Sequence, residues 1–235
     1  MVFLTIDTST SACSAALCEG KQVLSWCSQA PCPNHASTLP VFIEELLAES
    51  QSQHKPIEMV VLSEGPGSYT GLRISASLAK GLCYGRELPF LPVSTLEVLC
   101  MAAQNLHPEI EADAMLCPML DARRMEVYTG LYNTDLMHID PIQALVVEDD
   151  RWIAPYADRP LYFFGNGADK CQKLWKSKNA HFIDHIEPDA RYIGALAEYK
   201  LQQGFQPLQG KELAYYEPFY LKPYIAAPSH IKGLQ

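Results

Sequence analysis

The chain has 235 residues, 48% hydrophobic and 19% charged, which is ordinary globular composition and enough chain for one domain or two small ones. A net charge of −9, from 27 acidic against 18 basic residues, argues against a stand-alone nucleic-acid binder, since such proteins neutralise phosphates with Lys and Arg; a local basic patch stays open. No apolar run approaches the ~18 residues that cross a membrane, and the opening residues lack the basic and long apolar regions of a secretory signal, so a cytoplasmic setting is expected.

Residues 2–7 form the first expected strand, apolar until it ends in Asp7. Strands at 12–18 and 21–26 follow, joined by a Glu19-Gly20 hairpin turn. Asn34 is a plausible N-cap for a helix whose stripe is Leu39, Phe42, Ile43, Leu46 and Leu47. A buried strand at 57–63 runs into a glycine-rich loop and a helix from about Gly71, with Thr70 as its cap. A short strand at 89–93 precedes Ser94-Thr95-Leu96-Glu97, which has capping-box spacing. Strands are expected again at 114–120, 125–132, 144–147, 161–164 and 181–186, with helices after Gly167 and over 189–203. The pattern is α/β, with mixed sheets flanked by helices. The division expected is a first lobe over 1–107, a second over 108–209 and an extended tail over 210–235. No internal repeat is visible.

The eight cysteines include no Cys-x-x-Cys pair and several lie in apolar runs, so reduced core thiols are expected rather than disulfides or zinc ligands. His181 and His185 sit in a strand context, ~13 Å apart and too far to share a metal. No zinc-protease helix and no nucleophile elbow is present.

Four segments could carry chemistry. Asp7-Thr8-Ser9-Thr10 at a strand end fits a phosphate-contact loop or a self-tied turn. The loop from Gly65 to Arg73 joins strand to helix without being a P-loop. Gly71, Ser75, Ala79 and Cys83 recur every four residues, with Leu72 and Ala76 beside them; this small-residue face suits close helix packing, either on the chain's own first helix or on a second polypeptide. Asp121-Ala122-Arg123-Arg124 could set a second acid opposite Asp7 or close a polar hairpin, and Gly165-Asn166-Gly167 could rest a nucleotide or make an ordinary turn.

Together these residues resemble the TsaB (YeaZ) family, within the actin/sugar-kinase/Hsp70-like (RNase H-like) superfamily. The likeness rests on Ile6 to Thr10, Asn34-His35-Ala36, the run from Gly65 to Ile74, the run from Asp121 to Tyr128, and Pro218-Phe219-Tyr220-Leu221-Lys222. It covers essentially the whole chain, with Met125 where glycine is expected. It implies a two-lobed fold and a non-catalytic scaffold. Its partner would be a TsaD-like transferase that makes N6-threonylcarbamoyladenosine on ANN-decoding tRNA. It implies contact with a TsaE-like ATPase, tRNA reached only through the complex, and a homodimer when alone. No cofactor or metal is implied for the isolated chain, but ATP or ADP at the subunit boundary is. The partner surface is expected at Gly71, Leu72, Ser75, Ala76, Ala79 and Cys83, and nucleotide contacts at Asp7, Thr8, Ser9, Asp121, Gly165 and Gly167. Leu39, four residues after His35, breaks the metal-binding His-x-x-x-His pair that the resemblance gives to the catalytic relative, and Ser9 replaces the superfamily's phosphate-loop glycine. The alternatives are a phosphotransferase built on Asp7 and Asp121, and a peptidase.

Overall fold

The structure, a computed structural model, describes residues 1–172, 174–175 and 178–223. Two five-stranded sheets organise it. The first contains β1 (Val2–Asp7), β2 (Cys13–Glu19), β3 (Gln22–Gln29), β4 (Met59–Gly65) and β5 (Phe90–Ser94), in the order β3-β2-β1-β4-β5. The second contains β6 (Met115–Asp121), β7 (Glu126–Asn133), β8 (His138–Val146), β9 (Leu161–Phe164) and β10 (Ala180–Ile183), in the order β10-β9-β6-β7-β8. Reversed, the second order repeats the first: each half is a three-stranded antiparallel meander with two parallel strands added beside its first strand. The halves share a topology although no repeat is visible in the sequence.

Period-two alternation sets the layers. Leu4, Ile6, Ala15, Leu17, Val60 and Leu62 point to one face of the first sheet. There they meet α1 (His35–Ser52) and α2 (Tyr69–Arg86). Phe3, Ala16, Cys18, Val61 and Leu91 point to the other, against α3 (Thr95–Leu106) and α5 (Ala190–Gln202). That same layer receives Leu116, Leu120, Tyr132 and Phe164 of the second sheet, so α3 and α5 are sandwiched between the sheets. The outer face of the second sheet packs on Ile153 and Trp175 and on α4 (Asp169–Gln172).

Three details depart from the sequence reading. The helix at 190–202 belongs by position to the second half, yet it covers the first sheet: Ala190 N donates to Ser14 Oγ at 3.0 Å and Thr5 Oγ1 donates to Ala190 O at 2.7 Å. A cut at 107 thus divides the chain but not the packing. The tail expected to be extended contains α6 (Gly210–Tyr215), because Leu213 finds burial against the α1/α2 layer; residues 224–235 lie outside the described residues. Ser94 makes no capping bond, and Glu97 turns inward to Lys200 Nζ at 2.6 Å rather than back to the helix start.

Candidate functional site

Asp7 ends β1 with no exposure, and Thr8 and Ser9 are equally enclosed. Ser9 Oγ lies 3.0 Å from Asp7 Oδ2, and Ser9 N donates to Asp7 Oδ1 at 3.2 Å. The turn is then closed by the loop after β4. Ser68 N donates to Ser9 O at 2.7 Å, and Thr8 Oγ1 donates to Gly71 O at 2.9 Å. A Cβ on Gly67 would come within 2.5 Å of Ser9 O, and one on Gly71 would overlap Thr8 O. The backbone of residues 67–71 therefore packs directly on the Thr8–Ser9 turn that follows Asp7. Burial pushes the Asp7 carboxyl up to about 6, against hydrogen bonds from Ser63 and Ser9 that favour its charge.

Asp121 ends β6, the topological counterpart of β1, but its surroundings differ. It is 45% exposed in its side chain and pairs with Lys170 Nζ at 2.5 Å. Its backbone N donates to Asn166 Oδ1 at 2.8 Å, and its Oδ1 accepts from Arg123 N at 2.6 Å. The charged groups felt by Asp7 include Asp189, whereas Asp121 answers to Lys170 and Arg123. Of the two readings left open for this segment, these contacts suit the polar hairpin end. Gly165 follows β9 as Gly65 ends β4, at φ of +97° and +121°, in equivalent places of the two halves. Gly165 and Gly167 press on Met119 O and on the Leu120–Asp121 backbone, so both serve a close strand-to-turn approach.

His35 Nε2 is 3.0 Å from Ala12 O, and Leu39 one turn later is fully buried. His181 stacks on Tyr162, with ring centroids 4.8 Å apart. Among the described residues no group of three or more His, Cys, Asp or Glu gathers as for a metal ion. The cysteines are free, and most are packed as small core side chains.

The α2 surface requires a correction. Gly71, Leu72, Ser75, Ala76, Ala79 and Cys83 are all buried within the chain, at 4% exposure or less where measured for the apolar members. They face β4, β5 and α1, so no partner can reach them in the folded chain. A second small-residue row, missed in the sequence, runs along the outer face: Ser77, Gly81 and Gly85 are exposed. A Cβ added at Gly81 or Gly85 meets nothing within 4 Å. Half-buried Ile74 and Leu78 flank this row, and a shallow groove lined by Ala36, Pro40, Arg73, Ile74, Ser77 and Leu78 separates it from α1. Tyr84 is 86% exposed and Val41 50%. The spacing 77, 81, 85 was available in the sequence. It was masked by the longer row on the opposite side.

Residues 31–227 match the family model described as TsaD: tRNA N6-adenosine threonylcarbamoyltransferase. The tRNA threonylcarbamoyladenosine biosynthesis protein TsaB of Bacillus subtilis (strain 168) is 31% identical over 215 residues, 90% of this chain and 88% of its own. This chain belongs to the TsaB (YeaZ) family. The TsaB of Escherichia coli (strain K12) is 35% identical over 135 residues, 57% of this chain and 56% of the relative. YeaZ from Pseudomonas aeruginosa superposes with a TM-score of 0.78 at 26% identity, covering 94% of this chain and 99% of that one. An inorganic polyphosphate/ATP-glucomannokinase from Arthrobacter superposes with a TM-score of 0.50 at 11% identity, a likeness of fold alone. The two-lobed actin/sugar-kinase-like architecture is thus shared by TsaB proteins and this kinase. No helix among the described residues is long and apolar enough to cross a membrane.

Proposed function

We propose that this chain is a non-catalytic subunit of a tRNA threonylcarbamoyladenosine-forming complex, binding and activating a TsaD-like transferase through the outer faces of α1 and α2. The observation that carries this reading is the pair Gly81 and Gly85. Glycine at an exposed helical position costs about 1 kcal/mol relative to alanine. Nothing inside the chain requires it at either position. A partner helix approaching Ser77, Gly81 and Gly85 would require it, with Ile74, Leu78 and Tyr84 supplying apolar contact. The same face would close on a second copy when the transferase is absent. A TsaE-like ATPase would engage the pair, tRNA would be reached through the complex, ATP or ADP would sit at the subunit boundary, and the setting would be cytoplasmic.

Ser9, standing where the superfamily's phosphate loop carries glycine, favours a scaffold over a phosphotransferase. The test is co-expression with the TsaD-like paralogue, followed by size-exclusion chromatography and mass-spectrometric measurement of the modified nucleoside. Gly81→Arg is expected to leave the isolated chain folded and up to about 1 kcal/mol more stable. It should also weaken the complex at least tenfold, about 1.4 kcal/mol or more, and lower tRNA modification in parallel. An unchanged complex would remove this face as the partner site.

A further inference from the structure

After α5 the chain runs back along α2. Leu208 N donates to Phe90 O at 2.7 Å, and α6 follows, with Leu213 buried against the α1/α2 layer. The ring of Tyr216, which caps α6, lies 4.8 Å from that of Phe90. A helix of six residues is too short to hold itself, and the last carbonyls of any helix lack intrahelical donors. Lys80 of α2 supplies them: its Nζ donates to Ala214 O at 2.6 Å and to Tyr216 O at 3.0 Å. Its charge also meets the negative end of the α6 dipole. Lys80 and Leu213 thus set where α6 lies.

The helical wheel of α2 shows what this position borders. Ile74, Leu78 and Leu82 turn toward the layer shared with α1, and Lys80 marks the opposite flank, where α6 lies. Tyr84, one turn past Lys80, stands between that flank and the row of Ser77, Gly81 and Gly85. The outer face of α2 is therefore a floor with α1 along one side and α6 along the other. Tyr215 is two residues past the buried Leu213, about 200° around the helix, and so points outward. Among the described residues Tyr84 and Tyr215 are the most exposed large apolar side chains, at 86% and 84%, and both edge this one floor.

We propose that α6 is the second wall of the partner site, that Tyr215 on it touches the partner, and that Lys80 is the positioning residue that holds the wall in place. The occupant is a helix of the TsaD-like transferase, laid along α2 between α1 and α6. The inference rests on the partner reading above and adds an element to it. The floor is a helix face whose backbone groups are spent internally, so it offers a strand nothing to pair with; a helix packs on it by side chains alone. Tyrosine is enriched among the residues that dominate interface energetics, because its ring buries much apolar area while its phenol reaches a polar group. The transferase helix should accordingly be apolar opposite the two rings and carry an amide or carboxylate acceptor where the phenols end.

Titration of the full chain with the TsaD-like paralogue tests the wall. Tyr215→Ala is expected to weaken the complex about tenfold, with an unchanged denaturation midpoint. Gly81→Arg is the reference for the partner reading. If it weakens the complex and Tyr215→Ala does not, α6 is no wall and that reading stands; if neither does, both fall. An effect of Tyr215→Ala on self-association alone, read by sedimentation velocity, would assign the wall to a second copy and overturn the proposal. Lys80→Met keeps the stem and loses the ammonium. Hydrogen exchange at 210–216 in the isolated chain should then accelerate about tenfold, with β1 and β4 unchanged, and the complex should weaken in step. Lys80→Arg, which can still donate to both carbonyls, should restore both. Unaltered exchange in Lys80→Met would remove Lys80 as the holder of α6.

Discussion

Gly71→Ala will destabilise the chain by about 3 kcal/mol or more in urea denaturation, while Gly81→Ala later in the same helix will stabilise it by about 1 kcal/mol. Both replace a helical glycine with the best helix former, so propensity alone predicts the same sign. Sterics reverse it at Gly71. The new Cβ would fall well under 3.0 Å from Thr8 O, closer than real Cβ atoms come. The obstacle is backbone rather than a side chain that can swing aside. Relief means lifting the start of α2 from the end of β1, at the expense of the Thr8 Oγ1 to Gly71 O and Ser68 N to Ser9 O bonds. At Gly81 the added methyl meets nothing. Equal stabilities for the two variants would refute the assignment of inner and outer faces to α2, and with it the relocated partner surface.

The second large effect is on pH. Folding raises the Asp7 carboxyl from 3.8 to about 6 and the Glu64 carboxyl from 4.5 to about 7, both chiefly by burial. A carboxyl with a raised folded-state pKa binds its proton more tightly in the native chain than in the unfolded one. Between the two values the native state holds more protons, and stability falls as pH rises. The penalty is absent below the unfolded value and complete above the folded one. For Asp7 the window runs from about 4 to 6, for Glu64 from about 4.5 to 7, each approaching about 3 kcal/mol. Denaturation midpoints should therefore be higher near pH 5 than near pH 8. Glu64→Gln should remove the part of the slope between pH 6 and 7 and leave the Asp7 part in place. A flat profile from pH 5 to 8 would show that neither carboxyl is ionised at the cost its burial implies.

Much of the fold was legible because it depends on local pattern. The strand at 2–7, the Asn34 cap, the stripe on α1 and the helix near 189–203 all follow from periodicity and short-range capping, and each recurs with its boundary within a few residues. The capping residue of α2 was placed at Thr70, whereas Ser68 Oγ accepts from Gly71 N; two hydroxyls so close along the chain compete on equal local terms. The direction in which α2 faces was not legible. Small residues run along both sides of it, and period alone does not say which row meets the sheet. The closed state of the Asp7 turn was equally hidden, since it depends on residues 67–71 arriving from more than fifty positions away. Nor does any local signal announce that Glu97 will leave its capping geometry for Lys200, a partner supplied by a helix from the other half of the chain.

The late arrival of α5 bears on how the chain is made. During translation β1 to β5 emerge first, yet one apolar face of their sheet is covered partly by a helix that begins at Ala190. Roughly 100 residues separate β5 from the end of α5, and at ribosomal speeds of about 5–20 residues per second the interval is on the order of 5–20 s. For that time Phe3, Ala16, Cys18 and Val61 lack part of their native cover. The nascent first half is thus sticky until the second half is nearly complete, and a truncation that ends before residue 190 should accumulate in aggregates rather than as a free lobe.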